Sequence, residues 1–181
     1  MDVPVEQEAT TQVSDAQHLW NAAAQILRAQ VSEAVWHSTF SDARPVNLDG
    51  ALLVTQAFAP LLIDAGWGRV VMQSSTAAYS GGGGAYGVSK LALLGLTRGF
   101  ARELGEHGVT VNGIAPGPVL NEATAATVPD EKVQALVKSG ALKRAGSEDD
   151  LVGALLFLCS DLSAWMTGQT LIVDGGITVR Y

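Results

Sequence analysis

From Asn47 onward, short β-branched runs alternate with longer stretches of helical periodicity, and this alternation limits the possible folds more than any other feature. The runs "GRVVMQSS", "GVTVNGIAPG" and "QTLIVDGG" are bounded by glycine or polar residues and predict buried strands. The stretches "NLDGALLVTQAFAPLLIDAG", "YGVSKLALLGLTRGFAREL" and "SEDDLVGALLFLCSD" have apolar residues at helical spacing and predict helices. Strands that alternate with helices form βαβ units, so we expect an α/β fold with a parallel sheet and helices on both faces.

Cap and turn residues indicate where these elements end. Gly66 is placed to end the first helix as a C-cap, and the helix that carries Tyr86 is expected to run to about His107. Ser147 and Asp150 resemble a capping box at the start of the last helix. The looser stretch between the second strand and that helix contains one short helical pattern, "PDEKVQALVKSG".

The first 46 residues differ from the rest of the chain. They are rich in helical patterns, contain no convincing strand and contain no glycine. Neither GxGxxG nor GxxxxGK[ST] is expected anywhere in the chain, so the strand–glycine-loop–helix unit that receives a pyrophosphate is predicted to be absent from the sequence. A chain of 181 residues is most simply a single domain, so we expect one domain over 1–181, with a divergent part over 1–46 and a regular core over 47–176.

Charge and cysteine content narrow the classes of function. A net charge of −7 offers no basic face for nucleic acid or an anionic membrane. No apolar run is expected to reach the roughly 20 residues of a membrane span, and no secretory signal is expected at the N-terminus. The single cysteine, Cys159, lies in an apolar run and is expected to be a buried structural thiol in a reducing compartment. These features predict a cytoplasmic protein without nucleic-acid or membrane partners.

The stretch "SGGGGAYGVSK" carries a Tyr86/Lys90 pair at helical i,i+4 spacing. Residues four apart lie on one face of a helix, so the phenol and the ammonium should project to the same side. A cation favours the phenolate form of a neighbouring phenol and suits it to general acid–base catalysis. Taken alone, the pair is more often a packed ring beside a solvated amine, and the glycines are also compatible with a permissive surface loop.

Other polar groups fall at positions that support the catalytic interpretation. Ser74 and Ser75 end the strand before the pair, where a parallel sheet presents side chains to its ligand crevice. The stretch "NGIAPGPV" ends the next strand at the same edge, and Asn47 opens the preceding helix. Each has an ordinary explanation as a turn or a cap, but four of them in this order are improbable by chance.

The chain resembles the short-chain dehydrogenase/reductase family. The resemblance rests on "VNLDG", "GRVVMQSS", "YGVSK" as YxxxK, "VNGIAPGPV" and "LLFLCSDLSAWMTGQTLIVDGG", which together cover residues 47–176. It implies a Rossmann-like doubly wound sheet in three αβα layers, shortened at its N-terminal side. It also implies hydride transfer between NAD or NADP and a carbonyl or alcohol.

The resemblance implies roles for individual residues. Tyr86 would give or take the proton, and Lys90 would favour its phenolate and hydrogen-bond the nicotinamide ribose. Ser75 would orient the substrate oxygen, with Ser74 as the alternative because the loop before Tyr86 looks short. Asn47 would join a water-linked proton relay. The nicotinamide pocket would be lined by Pro116, Gly117 and Val119.

Weaker similarities reach upstream of the core. "LWNAA" resembles the family's NNAG segment and would place Asn21 at the cofactor, and Asp2 resembles the aspartate that contacts adenine. If both hold, about 60 residues of two strand–helix units are missing, including the glycine-rich TGxxxGxG loop. Binding of NAD or NADP is then expected to be weak or absent, and apolar sheet surface would be covered by residues 1–46 or by another subunit.

The sequence thus predicts an NAD(P)-dependent oxidoreductase that acts on a small carbonyl or alcohol through a Ser-Tyr-Lys site. The alternatives are a cofactor-independent lyase, isomerase or cyclase that uses the same acid–base set, or a non-catalytic relative. Family members commonly pair the helices that begin near Asn47 and Tyr86, so we expect a homodimer or homotetramer. No metal site is predicted.

Overall fold

The structure, a computed structural model, describes residues 45–80, 83–120, 124 and 128–179. Helices separate its three strands, with one helix between the first two and two helices between the last two. A π-helical turn at Pro45–Asp49 comes first. The regular elements follow in the order α1 (Gly50–Ala65), β1 (Gly68–Gln73), α2 (Gly84–Leu104), β2 (Val109–Pro116), α3 (Asp130–Ser139), α4 (Asp149–Cys159) and β3 (Thr170–Val173). The strands and helices predicted from Asn47 onward form, and the α/β prediction is confirmed. The helical patterns predicted upstream lie outside the described residues.

The three strands form a parallel sheet in the order β1–β2–β3. The β1–β2 register runs from Gly68 opposite Val109 to Gln73 opposite Ile114, and at the β3 side Pro116 lies opposite Val173. Every residue of β2 is buried, as expected for the central strand of a sheet covered on both faces. This register brings the carboxyl ends of the three strands to one edge.

The main hydrophobic core lies between the sheet and the helices α1 and α2. Its buried members come from β1, α2 and β2, and they are Met72, Phe100, Ala101, Leu104, Val109 and Val111. Helix α1 packs against this cluster with Ala51, Leu52, Ala59 and Leu62. Helix α4 contacts all three strands. The packing holds α2 firmly across β1 and β2, and this helix carries the Tyr86/Lys90 pair.

Glycines mark the ends of two helices. Gly66 adopts a left-handed conformation (φ 64°), and its N–H donates to the carbonyl of Ile63, as predicted for a C-cap. Helix α2 ends at Leu104, earlier than predicted, because the chain tightens into a 3₁₀ turn at Gly105–His107 that closes on the left-handed Gly108. At the start of α4, the Asp150 carboxylate accepts a hydrogen bond of 2.7 Å from the Ser147 N–H, which is one half of the predicted capping box. The other half does not form, because the Ser147 hydroxyl donates to the same carboxylate over 3.0 Å.

Two expectations about apolar segments are wrong. Within the described residues, the stretch Val46–Ala65 is 20 residues long with a hydropathy of 1.5, so by length and composition alone it could cross a membrane. It has two faces, because α1 packs one side on the core and exposes Leu53, Val54, Phe58 and Leu61 on the other. Cys159 is exposed rather than buried, because it ends α4 on a side that faces away from the sheet.

Candidate active site

The polar residues singled out in the sequence converge on the carboxyl edge of the sheet. Just beyond β1, the Ser74 N–H donates to the carbonyl of Ile114 in β2 over 2.8 Å. Just beyond β2, the Gly117 N–H donates to the carbonyl of Val173 in β3 over 2.9 Å. These bonds extend the sheet by one residue at each strand end. The serines and the Pro–Gly turn therefore lie where ligands bind in open parallel sheets.

Tyr86 and Lys90 lie together in the first turns of α2. The Lys90 Nζ is 5.7 Å from the centroid of the Tyr86 ring, which is within reach of a cation–π contact. Tyr86 is 41% exposed, whereas Lys90 is only 9% exposed. The arrangement offers a phenol that a substrate can reach, with a cation buried beside it.

Lys90 is attached to the end of β1 at two points. Its Nζ donates to the carbonyl of Gln73 over 2.9 Å, and its own backbone carbonyl accepts a 2.8 Å bond from the Ser74 hydroxyl. Burial lowers the pKa of Lys90 below its usual value. The two bonds fix both the side chain and the backbone of Lys90 at the end of β1.

The two serines beyond β1 play different parts. The Ser74 side chain is buried, and its hydroxyl donates its hydrogen to the backbone carbonyl of Lys90. The Ser75 hydroxyl accepts a 3.2 Å bond from the Ala77 N–H and caps the 3₁₀ turn Thr76–Ala78. Accepting this bond uses an oxygen lone pair and leaves the Ser75 hydroxyl hydrogen for a substrate oxygen.

Asn47 lies in the π-helical turn before α1 and contacts α2 rather than capping its own helix. Its Nδ2 donates to the Ser89 hydroxyl over 3.3 Å, and that hydroxyl donates to the Tyr86 carbonyl over 2.8 Å. Ser89 was missed in the sequence. Its spacing of three residues from Tyr86, on the same helical face, was the available signal.

The Pro116–Gly117 turn is packed tightly against the end of β3. A side chain on Gly117 would bring its Cβ within 2.7 Å of the Asp174 Cβ. Asp174, also missed in the sequence, is fixed because its carboxylate accepts bonds from the N–H groups of Gly176 (2.9 Å) and Thr178 (2.6 Å). Val119 pairs with Gly146 in an isolated parallel bridge. A cavity of about 120 Å³ lies here and is lined by residues that include Gly117, Val119 and Asp174.

Two predicted residues lie outside the described part of the chain, and a glycine pattern next to Tyr86 lacks the setting of a phosphate loop. Asp2 and Asn21 belong to the part of the chain that is not described. Gly82, Gly84 and Gly87 match the letters of GxGxxG, but the pattern contains Tyr86 itself and the 3₁₀ turn Thr76–Ala78 comes between it and β1. It therefore lacks the direct strand-to-helix turn of a phosphate loop. Within the described ranges, no group of three or more His, Cys, Asp or Glu side chains is placed to hold a metal ion.

Comparison with known proteins identifies the family. A family model described as enoyl-(acyl carrier protein) reductase matches residues 5–178. The chain belongs to the short-chain dehydrogenase/reductase family. An oxidoreductase of Mycobacterium tuberculosis is 46% identical over 137 residues, which are 75% of this chain and 54% of that protein. Human dehydrogenase/reductase SDR family member 4 is 37% identical over 153 residues, 83% of this chain and 54% of that protein.

Solved structures of the same family share the fold. A gluconate 5-dehydrogenase from Burkholderia cenocepacia, in complex with NADP and tartrate, is 34% identical with a TM-score of 0.74. The match covers 83% of this chain and 59% of that one. The Rossmann-like, doubly wound fold is therefore confirmed. It spans about half the length of the curated relatives it matches.

Proposed function

We propose that this short-chain dehydrogenase/reductase transfers a hydride between NAD or NADP and a small carbonyl or alcohol. The observation that carries the proposal is the placement of Lys90, which is buried, bonded to the carbonyl of Gln73 and 5.7 Å from the Tyr86 ring. A merely packed ring beside a solvated amine would leave the ammonium in water. The buried cation beside an exposed phenol is an arrangement suited to proton transfer.

In the reducing direction, the residues would act as follows. The Ser75 hydroxyl donates a hydrogen bond to the substrate carbonyl oxygen and holds it near Tyr86. As the carbonyl carbon receives a hydride, its oxygen takes the proton of the Tyr86 hydroxyl and becomes an alcohol. The Lys90 ammonium stabilises the phenolate that remains, and the relay through Asn47 restores its proton. The reverse sequence oxidises an alcohol.

The described residues suit only one end of the cofactor. When bound, NAD(P) supplies or accepts the hydride. Tyr86 and Lys90 have polar groups for the nicotinamide ribose, and the turn at Pro116, Gly117 and Val119 would lie along the nicotinamide ring. The described residues offer no glycine turn for the pyrophosphate, so we expect weak binding by this chain. Structures of relatives with bound NADP or NADH support a nicotinamide cofactor in general.

We further propose that the chain forms a homodimer or homotetramer in the cytoplasm through α1 and α2. The exposed apolar residues Leu53, Val54, Phe58 and Leu61 on α1, with Leu91 on α2, support such a contact. Apolar side chains exposed in this number usually mark an interaction surface. A small molecule is the expected substrate, and neither nucleic acid nor a membrane is an expected partner.

Calorimetric titration with NADH and NADPH tests the proposal directly. We expect saturable but weak binding, with a dissociation constant above the micromolar range. With a reducible carbonyl as substrate, Tyr86→Phe should lower kcat by about 10²- to 10⁴-fold, the usual contribution of a general acid. Absence of any heat at millimolar NADH and NADPH would refute the oxidoreductase proposal. Turnover that requires Tyr86 but no dinucleotide would favour the lyase or isomerase alternative.

A further inference from the structure

Two buried polar groups at the amino end of the sheet make no hydrogen bond to any described residue. They are the Nε of Arg69 in β1 and the hydroxyl of Thr110 in β2. The Arg69 side chain is 7% exposed, and Thr110 is 8% exposed. Buried polar groups without a hydrogen bond destabilise a fold, and native proteins pair nearly all of them with protein atoms or ordered water.

The register of the sheet places these two residues side by side. Arg69 lies opposite Thr110 in the parallel β1–β2 pair, and side chains in register on parallel strands point to the same face of the sheet. Val111, the next residue of β2, belongs to the core beneath α1 and α2. Because side chains alternate along a strand, Thr110 and Arg69 lie on the other face, which α4 covers.

The rest of the Arg69 guanidinium is held in place by its neighbours. Its Nη1 donates to the Gly68 carbonyl over 2.9 Å, and its Nη2 donates to the Asp161 carboxylate over 3.0 Å. The guanidinium carbon lies 4.9 Å from the centroid of the Trp67 ring, within reach of a cation–π contact. These contacts fix the direction of the remaining N–H, on Nε, and the carboxylate balances the charge of the guanidinium.

The donors and acceptors decide which kind of group can bind both residues. The Arg69 Nε–H can only donate, whereas the Thr110 hydroxyl can donate and accept. Because Asp161 already balances the guanidinium, a neutral group that both accepts and donates is favoured over a second anion. Water has this chemistry, and it is the common partner of buried polar groups that other protein atoms do not reach.

We propose that Arg69 and Thr110 bind a buried water molecule between β1 and β2, on the α4 side of the sheet. The water accepts a hydrogen bond from the Arg69 Nε–H and forms a second one with the Thr110 hydroxyl. It joins the two strands through their side chains, in addition to the backbone bonds of the ladder. The site lies at the amino end of the strands, opposite the edge that carries Tyr86 and Lys90, and it is separate from the proposed reaction.

The sign of a stability change distinguishes a bound water from two unpaired groups. Thr110→Val removes the hydroxyl and keeps nearly the same shape. If the hydroxyl holds the water, this change removes a hydrogen bond and should lower the folded-to-unfolded ratio about twofold to tenfold, which lowers the urea midpoint. If the hydroxyl is unpaired, its removal relieves a buried polar group. The midpoint should then stay the same or rise, and either result would overturn the inference.

A second measurement detects the water itself and needs no substitution at Thr110. In ¹⁵N-labelled protein, the Arg69 Nε–H signal is identified by its contact with the Trp67 ring and by its loss in Arg69→Lys. It should show a dipolar contact with water in a rotating-frame NMR experiment, and it should shift in Thr110→Val. Thr97→Val is the matched control and should leave the signal in place, because the equally buried Thr97 hydroxyl has a protein partner, the Leu93 carbonyl, at 2.7 Å. An Nε–H signal without a contact to water would refute the inference, whatever the urea midpoints.

Discussion

Substitution of Gly117 by alanine should disturb the candidate site through packing alone. The new Cβ would lie 2.7 Å from the Cβ and 2.8 Å from the Cα of Asp174, about 0.7 Å inside the 3.4 Å at which ordinary contacts begin. Asp174 cannot move away easily, because its carboxylate holds the N–H groups of Gly176 and Thr178. The Gly117 N–H is also bonded to Val173. The backbone itself must therefore shift.

Overpacking of this kind costs about 1–3 kcal/mol. In a chain of this size that corresponds to a fall in Tm of about 2–12 °C, and the urea midpoint should fall with it. Tryptophan fluorescence during urea denaturation measures the change. Gly153→Ala is the matched control, because a Cβ there meets open space within α4 and removal of a helical glycine should stabilise the fold by about 0.5–1 kcal/mol. A Gly117→Ala midpoint equal to that of wild type would refute the packing argument, and with it the rigid turn at the cofactor side.

Three further predictions concern charge and assembly. Burial lowers the pKa of Lys90, so the unfolded chain binds that proton more tightly than the folded chain. The stability of wild type relative to Lys90→Met should therefore rise with pH between the lowered pKa and the usual value near 10.4. Urea midpoints at several pH values measure this difference, and a difference that does not change with pH would contradict the prediction. Hydrogen bonds from Arg144 and Ser147 hold the pKa of Asp150 well below its usual range. The Tm of wild type should therefore exceed that of Asp150→Asn by its full margin above about pH 4, and the margin should shrink as the pH falls further. A margin that persists in acid would exclude the ion pair as its cause. Leu61→Glu on α1 should shift the oligomer towards monomer in sedimentation velocity. Leu162→Glu should not, because Leu162, although more exposed (83% against 65%), lies outside α1 and α2. Equal effects of the two substitutions would argue against that interface.

Much of the fold follows from local pattern in the sequence. Each strand is a short β-branched run and each helix has apolar residues at helical spacing, so the spacing of the apolar residues predicts the type of each element. The left-handed cap at Gly66 also follows from its residue type. The end of α2 was predicted less well. Whether Gly105–His107 continues the helix or tightens into a 3₁₀ turn depends on how the chain must turn into β2, which local propensity does not express.

Spacing along the chain is enough to predict that Tyr86 and Lys90 share a helical face and that two serines follow β1. Which of the two serines is buried depends on how the elements pack. Ser74 and Ser75 are adjacent in the chain. The packing of α2 on β1 turns Ser74 towards the Lys90 carbonyl and leaves the hydroxyl hydrogen of Ser75 free for a substrate oxygen.

The bond from Asn47 to Ser89 spans 42 positions and exists only because the π-helical turn packs on α2. The exposure of Cys159 was decided in the same way, since an apolar run does not show which side of its last turn faces the sheet. Spacing in the sequence determines which residues share a face of one helix or strand, whereas contacts between different elements depend on how those elements pack.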